Sequence, residues 1–139
     1  MRARPARTDM LALCADPAAF RHTVERLAHC ATGPVSRILS PGPEGVILGA
    51  AVAYHLRIGL VALPRSPKGP LLDDEALQPG EVLLYIDAHL ASGETAEAAL
   101  HLAERQGADL RTAAFLNEAP ARAGRRRLEA LGIRVHVLG

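Results

Sequence analysis

The sequence predicts a single three-layer α/β domain, in which helices cover both faces of a mainly parallel β-sheet. Short apolar segments typical of strands alternate along the chain with longer segments of helical periodicity, and most connections are short. Val82–Ile86 is an unbroken apolar run, as expected of a central parallel strand that is buried on both faces. We find no internal repeat and no second domain, so residues 1–139 are predicted to form one unit.

The part of the chain before residue 64 alternates helices and strands. Asp16 followed by Pro17 is a typical helix start, with an acidic N-cap and proline at the first helical position. Gly33-Pro34 ends that helix. We predict an N-terminal arm at residues 1–14 and this helix at residues 17–32. A strand (Val35–Leu39), an apolar helix (Val46–Leu56) and a second strand (Gly59–Leu63) follow.

Residues 64–80 interrupt this alternation. The segment contains four prolines and two glycines, which disfavour both helices and central strands. A connection of this length without secondary structure is usually functional or disordered. We therefore predict that residues 64–80 form a long, mobile loop.

The part of the chain after residue 80 returns to regular alternation. Val82–Ile86 is followed by a loop and then by a helix whose end is marked by Gly107. In chain order, the predicted elements are a strand (Val82–Ile86), a helix (Glu94–Gln106), a strand (Leu110–Leu116), a helix (Ala119–Leu131) and a final strand (Ile133–Leu138).

Composition excludes several classes of function. The aromatic share is only 3% and tryptophan is absent, so a surface that stacks nucleic-acid bases is not expected, and the net charge of +1 implies neither a basic nor an acidic partner. Cys14 and Cys30 lack the spacing of metal ligands, and we predict buried thiols in a reducing compartment and no metal site. No apolar run suits a membrane span or a signal peptide, which predicts a cytoplasmic protein without a membrane partner.

The segment Asp87–Thr95 carries the clearest chemical signal. It follows the apolar run Val82–Ile86 with an acid, passes through small residues and enters a helix through Ser92, Gly93 and Thr95. Backbone N–H groups converge at such a helix start, and the helix dipole favours an anion there. Gly93 allows close approach of the backbone, and the two hydroxyls can donate to phosphate oxygens. The sequence therefore predicts a phosphate-binding loop.

A purely structural interpretation fits the same residues. Ser92 would cap the helix, Thr95 would pack against its neighbours and Asp87 would hold the loop. The glycines and the lysine of a P-loop are missing, so the segment is not a nucleoside-triphosphate motif of that type. His89, in the same segment, either touches a ligand or faces the sheet edge or a dimer partner.

The span Val82–Glu118 resembles the phosphoribosyl-pyrophosphate motif of the type I phosphoribosyltransferases. In that family a buried strand leads into two acids, two apolar residues and then a small-residue loop with glycine and hydroxyl side chains. More narrowly, residues 15–139 are similar to the adenine phosphoribosyltransferases. The matching segments are Asp16–Phe20, Val46–Tyr54, Val61–Arg65 and Phe115–Glu118. The resemblance implies the type I phosphoribosyltransferase fold.

The resemblance also implies roles for individual residues. Asp87 would contact a ribose hydroxyl and is the best candidate for a catalytic residue. Arg65 and Lys68 would contact an anion. The 5′-phosphate would lie on Ala91, Ser92, Gly93, Glu94 and Thr95, and the pyrophosphate on the loop Gly42, Pro43, Glu44 and Gly45. The expected ligands are phosphoribosyl pyrophosphate or a nucleoside monophosphate, with Mg²⁺ if the protein is catalytic, and the expected assembly is a homodimer.

Four departures from the family pattern bear on activity. Ala88 replaces the second acid of the phosphate motif, and Glu44 replaces an arginine that faces pyrophosphate. A carboxylate beside pyrophosphate has the wrong sign of charge. Ser66 follows Arg65 where an Arg-Lys pair is usual, and residues 64–80 are shorter than the family's catalytic loop and lack its tyrosine and acid.

Three functions remain open at this point. The first is a catalytic purine phosphoribosyltransferase of purine salvage or nucleotide metabolism. The second is a non-catalytic relative that binds a nucleotide or sugar phosphate and has lost transferase activity. The third is an interaction protein that only reuses the fold, because a fold does not fix a function.

Overall fold

A computed structural model describes residues 9–139, without the side chain of Arg122. The strands are β1 (Arg37–Pro41), β2 (Gly59–Leu63), β3 (Arg65–Ser66), β4 (Gly69–Pro70), β5 (Val82–Leu90), β6 (Asp109–Glu118) and β7 (Arg134–Val137). The helices are α1 (Met10–Ala15), α2 (Pro17–Ala28), α3 (Glu44–Leu56), α4 (Glu94–Arg105) and α5 (Gly124–Ala130), with a 3-10 turn at Pro120–Arg122. The predicted α/β alternation is confirmed.

The main sheet is parallel and has the strand order β2-β1-β5-β6-β7. Helices α1, α2 and α3 contribute to the hydrophobic core on one face, and α4 and α5 contribute to the core on the other. The chain therefore runs outward from β1 in one direction and from β5 in the other. In open α/β sheets, the crevice at such a switch point is the usual place for a ligand.

The start of α2 follows the chemistry predicted for it. The side chain of Asp16 accepts the N–H groups of Ala18 and Ala19, each at 3.1 Å, and Pro17 occupies the first helical position. Residues 1–8 of the predicted N-terminal arm lie outside the described residues, whereas residues 10–14 belong to α1. Cys14 is exposed on α1, and the prediction that it is buried is wrong, because this short helix buries only Met10 and Leu13.

The strand β5 is longer than predicted. The sequence ends it at Ile86, but the parallel ladder with β6 continues to the pair Leu90–Glu118. Asp87 and His89 therefore lie within the strand and not in a loop. Because side chains alternate between the faces of a strand, Tyr85, Asp87 and His89 share one face.

Residues 64–80 have more structure than the sequence predicts. Strands β3 and β4 form a short antiparallel hairpin, and Leu77 is buried in the core. The Gln106 side chain fastens the second half: its oxygen accepts the N–H of Leu77 at 2.8 Å, and its nitrogen donates to the carbonyl of Asp73 at 2.6 Å. Within residues 9–139, no helix is long and apolar enough to cross a membrane.

Candidate functional site

The candidate site lies at the switch point between β1 and β5. Each of these neighbouring strands runs into a helix, β1 into α3 through Gly42 and Pro43, and β5 into α4 through residues 91–93. The first turns of both helices therefore border the same edge of the sheet. A helix N-terminus presents unsatisfied N–H groups and a partial positive charge, so this edge has two places that favour an anion.

The first place is the segment Ala91–Thr95, which we call the cradle. It lines a small cleft of about 100 Å³. Gly93 has φ 84°, a left-handed conformation that favours glycine, and the Ser92 hydroxyl accepts the N–H of Glu94 at 3.3 Å. The segment thus forms the compact turn into α4 that the sequence predicts, with the side chains of Ser92 and Thr95 at the cleft.

The start of α5 supports the cradle from below. A Cβ atom on Gly124 would lie 2.3 Å from the carbonyl oxygen of Ala91, and one on Gly93 would lie 3.2 Å from the carbonyl oxygen of Gly124. Only the absence of these two side chains allows the backbones to approach so closely. Gly124 is therefore a second glycine on which the shape of the cradle depends, and the sequence gives no local motif that marks it.

Asp87 lies at the centre of the site and only 8% of its surface is exposed. Its carboxylate accepts the N–H of Ala88 at 2.7 Å. Burial raises the pKa of Asp87 to about 6, and Glu44 adds to the increase, whereas the Ala88 N–H and Arg65 oppose it. The protein thus keeps a buried carboxylate within β5 against a desolvation cost, which is typical of a functional position.

Tyr85 lies beneath Asp87 on the same face of β5. Burial and the neighbouring Asp87 carboxylate raise the pKa of Tyr85 well above its usual value. The hydroxyl is buried and makes no hydrogen bond of normal geometry. Its ring packs against Phe115 with a centroid distance of 6.0 Å, so Tyr85 forms the floor of the cleft.

The second place borders the loop between β1 and α3. A cleft of about 290 Å³ is lined by Pro43, Glu44, Arg65, Asp87 and His89, and we call it the second cleft. Arg65, Asp87 and His89 also line the cleft at the cradle, so the two spaces adjoin. The Arg65 side chain donates a hydrogen bond to the carbonyl of Gly42, which holds this cation at the loop.

His89 connects three elements across the second cleft. Its Nε2 lies 3.3 Å from Oε1 of Glu44 on α3, and its Nδ1 lies 3.3 Å from the amide nitrogen of Asn117 on β6. Sequence reasoning singles out Glu44 but not its pairing with His89, and it misses Asn117. The signal that could have found the pair is the two-residue alternation of β5, had the strand been extended past Ile86.

The structure brings most of the predicted site residues together. Asp87, the whole cradle, Pro43, Glu44 and Arg65 line the two adjoining clefts. Gly45 packs directly beneath Asp87, with an added Cβ atom 2.9 Å from its Oδ1. Lys68 lies in the exposed turn of the β3–β4 hairpin and lines neither cleft. Ala88 is buried in the core on the α3 face.

Comparisons with known proteins agree with this geometry. No family model matches the sequence. The chain is 34% identical over 148 residues to the adenine phosphoribosyltransferase of Roseobacter denitrificans, covering 94% of this chain and 84% of that protein. It is 36% identical over 148 residues to the enzyme of that name from Cereibacter sphaeroides, covering 94% and 83%.

Solved structures give the same result. The adenine phosphoribosyltransferase of Rhodothermus marinus superposes with a TM-score of 0.82 at 29% identity, covering 93% of this chain and 83% of that one. The protein from Thermoanaerobacter pseudethanolicus superposes with a TM-score of 0.81 at 27% identity, covering 91% and 82%. The fold is therefore the type I phosphoribosyltransferase fold, and the chain belongs to the adenine phosphoribosyltransferase family.

Proposed function

We propose that this protein is a purine phosphoribosyltransferase of nucleotide salvage, which joins an adenine-type base to the phosphoribosyl group of phosphoribosyl pyrophosphate. The observation that carries the proposal is the pair of helix N-termini, those of α3 and α4, on either side of Asp87. The substrate has phosphate groups at both ends of one sugar, and each N-terminus favours an anion. The Giardia lamblia relative, 26% identical with a TM-score of 0.80, was solved in complex with 9-deazaadenine.

The residues of this chain then have distinct roles. The 5′-phosphate lies on the cradle, where backbone N–H groups and the hydroxyls of Ser92 and Thr95 donate to it. Asp87 accepts a hydrogen bond from a ribose hydroxyl, and the pyrophosphate lies in the second cleft beside Arg65. In the reaction, a base nitrogen forms a bond to C1 of the ribose while the bond from C1 to the pyrophosphate oxygen breaks, and the nitrogen loses its proton. The protein contributes mainly by holding the two ends of the sugar in place.

The site fits Mg²⁺ as a companion of the substrate. This ion usually keeps several waters and binds one or two carboxylates together with substrate phosphates. Asp87 is a carboxylate in the required place, and the oxygens of the ribose and the pyrophosphate would supply further ligands. Bound Mg²⁺ would reduce the negative charge on the leaving pyrophosphate.

We also propose that two copies of the chain form a homodimer. A groove of about 820 Å³ between α2 and α3 is lined by apolar residues, among them Phe20 and Val24, with charged residues such as Arg21 and Arg57 beside them. Tyr54, on the same part of α3, is 88% exposed. Apolar surface of this kind commonly marks an interface, and sedimentation of the purified protein would test the assembly. We place the protein in the cytoplasm and expect no nucleic-acid or membrane partner.

The experiment that tests the function is product formation by the full chain. Purified protein is incubated with adenine, phosphoribosyl pyrophosphate and Mg²⁺, and AMP is measured by mass spectrometry. We expect AMP to form, and we expect Thr95→Val to lower kcat/KM by about tenfold, because one charge-assisted hydrogen bond to phosphate is lost. Thr23→Val, a matched change on α2 away from the site, should retain wild-type kcat/KM.

A second candidate function predicts a different result. Glu44 in the second cleft and Ala88 in place of an acid favour a relative that binds sugar phosphates without transfer. Binding of ribose 5-phosphate without any nucleotide product, from adenine or other purines, would identify that function. Failure to bind ribose 5-phosphate at all would reject both candidates, because both depend on the cradle.

A further inference from the structure

The contact between Glu44 and His89 decides what the second cleft offers to a ligand. The amide nitrogen of Asn117, 3.3 Å from Nδ1 of His89, donates to it. A neutral imidazole that accepts at Nδ1 carries its proton on Nε2. Nε2 lies 3.3 Å from Oε1 of Glu44, within ion-pair distance. With Nδ1 as the acceptor, the proton on Nε2 lies on the side of the ring that faces the Glu44 carboxylate.

The position of this donor suits an anionic ligand. His89 lines both the cleft at the cradle and the second cleft, so it lies between the two proposed phosphate positions. The Glu44 side chain is 46% exposed and rises from the first residue of α3, whereas His89 is half-buried within β5. The carboxylate can thus move away more easily than the ring, because only the ring is held by a strand and by Asn117.

The charges around His89 also indicate which side chain must move. Arg65 is the cation of the second cleft, and Asp87 and Glu44 are its acids. Glu118, which follows Asn117, is already paired with Arg125 at 2.8 Å. The Glu44 carboxylate would repel an incoming phosphate oxygen, whereas the Nε2–H group of His89 that faces this carboxylate would attract it.

We propose that Glu44 occupies the place of a pyrophosphate oxygen in the ligand-free site, and that Nε2–H of His89 leaves its contact with Glu44 and donates to the pyrophosphate when the ligand binds. His89 is then a specificity-determining contact for the pyrophosphate end of the substrate. Glu44 lowers the affinity for any anionic group that enters the second cleft, because that group must displace the Glu44 carboxylate. The inference rests on the proposed function, because it assumes that pyrophosphate enters the second cleft. A ligand with only a 5′-phosphate does not need the exchange.

A double-mutant cycle measured by calorimetry tests the exchange, with pyrophosphate and excess Mg²⁺ at neutral pH. Glu44→Ala should tighten pyrophosphate binding by about tenfold in the wild-type background, because it removes both the repulsion and the competing acceptor. In the His89→Leu background it should tighten binding by only about threefold, since only the repulsion is relieved. His89→Leu alone should weaken pyrophosphate binding by about threefold.

Matched measurements separate this exchange from general damage. His101→Leu removes an exposed histidine that pairs with Glu97 and Glu104 on α4, and pyrophosphate affinity should not change. Ribose 5-phosphate affinity should show no coupling between Glu44→Ala and His89→Leu, because a ligand confined to the cradle does not exchange partners with Glu44. In the wild type, the NMR signal of His89 Nε2 should move with pyrophosphate and not with ribose 5-phosphate.

Two results would overturn the proposal. One is an equal effect of Glu44→Ala in both backgrounds, which would mean that Glu44 acts through its charge alone. The other is a His89 Nε2 signal that does not respond to bound pyrophosphate, which does not depend on any variant folding. Failure of ribose 5-phosphate to bind would instead reject the proposed function, so the two failures are distinguishable.

Discussion

The cradle and the second cleft are built in the same way but differ in the groups that face the ligand. Each follows a neighbouring strand of the sheet and opens a helix, and each depends on a glycine under close contact, Gly124 for the cradle and Gly45 for the second cleft. The cradle presents backbone N–H groups and two hydroxyls. The second cleft presents the charged side chains Glu44 and Arg65.

This difference shows where a family member can diverge without losing its fold. Backbone N–H groups bind an anion whatever side chains the loop carries, provided that the turn keeps its shape. A side-chain contact can reverse its charge in one substitution, as the resemblance implies for Glu44, which it places where the family has an arginine. We therefore expect ligand binding to depend on backbone shape at the cradle and on side-chain charge at the second cleft.

The largest effect is expected from Gly124→Ala, which would break the cradle. Alanine at a helix start is normally as good as glycine or better. Here its Cβ atom would lie 2.3 Å from the backbone oxygen of Ala91, which cannot move without distorting the cradle. We expect the free energy of unfolding to fall by about 2–3 kcal/mol, measured by urea denaturation, together with loss of ribose 5-phosphate binding.

The neighbouring substitution Ala123→Gly is the control for this prediction. Ala123 has a left-handed φ of 61°, a conformation that glycine adopts at no steric cost. Its stability should equal or slightly exceed that of the wild type. If Gly124→Ala were as stable as Ala123→Gly, the two helix-start positions would not differ in packing, and α5 would not pack closely against the cradle.

The second prediction concerns Asp87, which joins the two regions. Its pKa in the folded protein is raised to about 6, above the value of 3.8 expected in the unfolded chain. The folded state therefore binds the proton more tightly, and the stability present below about pH 4 is lost as the pH rises to about 6. Asp87→Asn removes this loss, and we expect about 1–3 kcal/mol of added stability near pH 8 relative to the wild type.

The pH dependence makes the Asp87 prediction specific. Thermal unfolding in metal-free buffer should give a smaller difference between wild type and Asp87→Asn near pH 4 than near pH 8. The same variant should lose transferase activity, because the amide cannot replace the carboxylate at the sugar. A variant that is less stable than the wild type near pH 8 would show that ionised Asp87 carries no desolvation cost.

The features that the sequence predicts are those set by the local backbone, whereas contacts between distant side chains are not predicted. The alternation of elements and the loop at Ser92 and Gly93 could be predicted, because hydrophobic periodicity and turn chemistry are local signals. The end of β5 could not, since pairing with a distant strand extends it through Asp87 and His89. The contact between Glu44 and His89 depends on two residues far apart in the chain, and no local pattern reports such a pair.

The third prediction tests the packing beneath the second cleft. A Cβ atom on Gly45 would lie 2.9 Å from Oδ1 of Asp87 and 3.1 Å from the carbonyl oxygen of Ile86. The carboxylate can shift slightly, so Gly45→Ala should destabilise the protein by about 1 kcal/mol, less than the change at Gly124. Gly42→Ala, just before α3, is the matched control, because its Cβ atom would make only an ordinary contact of 3.8 Å with Val46.

Equal stabilities for Gly45→Ala and Gly42→Ala would contradict this view of the loop. The pair would be compared by urea denaturation, and the pKa of Asp87 would be followed by NMR. Movement of the carboxylate away from Gly45 should change that pKa in Gly45→Ala only, since Gly42 does not contact Asp87.

The smallest effect is expected on the strand that leads to the second cleft. The Ser40 hydroxyl on β1 is fully buried, and its oxygen has no hydrogen-bond partner. A buried hydroxyl without a partner costs stability, and its removal leaves a smaller side chain without an unsatisfied group. We therefore expect Ser40→Ala to raise the free energy of unfolding by about 0.5–1 kcal/mol. The exposed Ser36 does not serve as a control, because its hydroxyl donates a hydrogen bond to Glu81. The decisive result is the sign of the change in the free energy of unfolding. A loss of stability in Ser40→Ala would mean that the hydroxyl has a hydrogen-bond partner in solution. That hydrogen bond would then stabilise the close approach of α3 to β1 at Gly49.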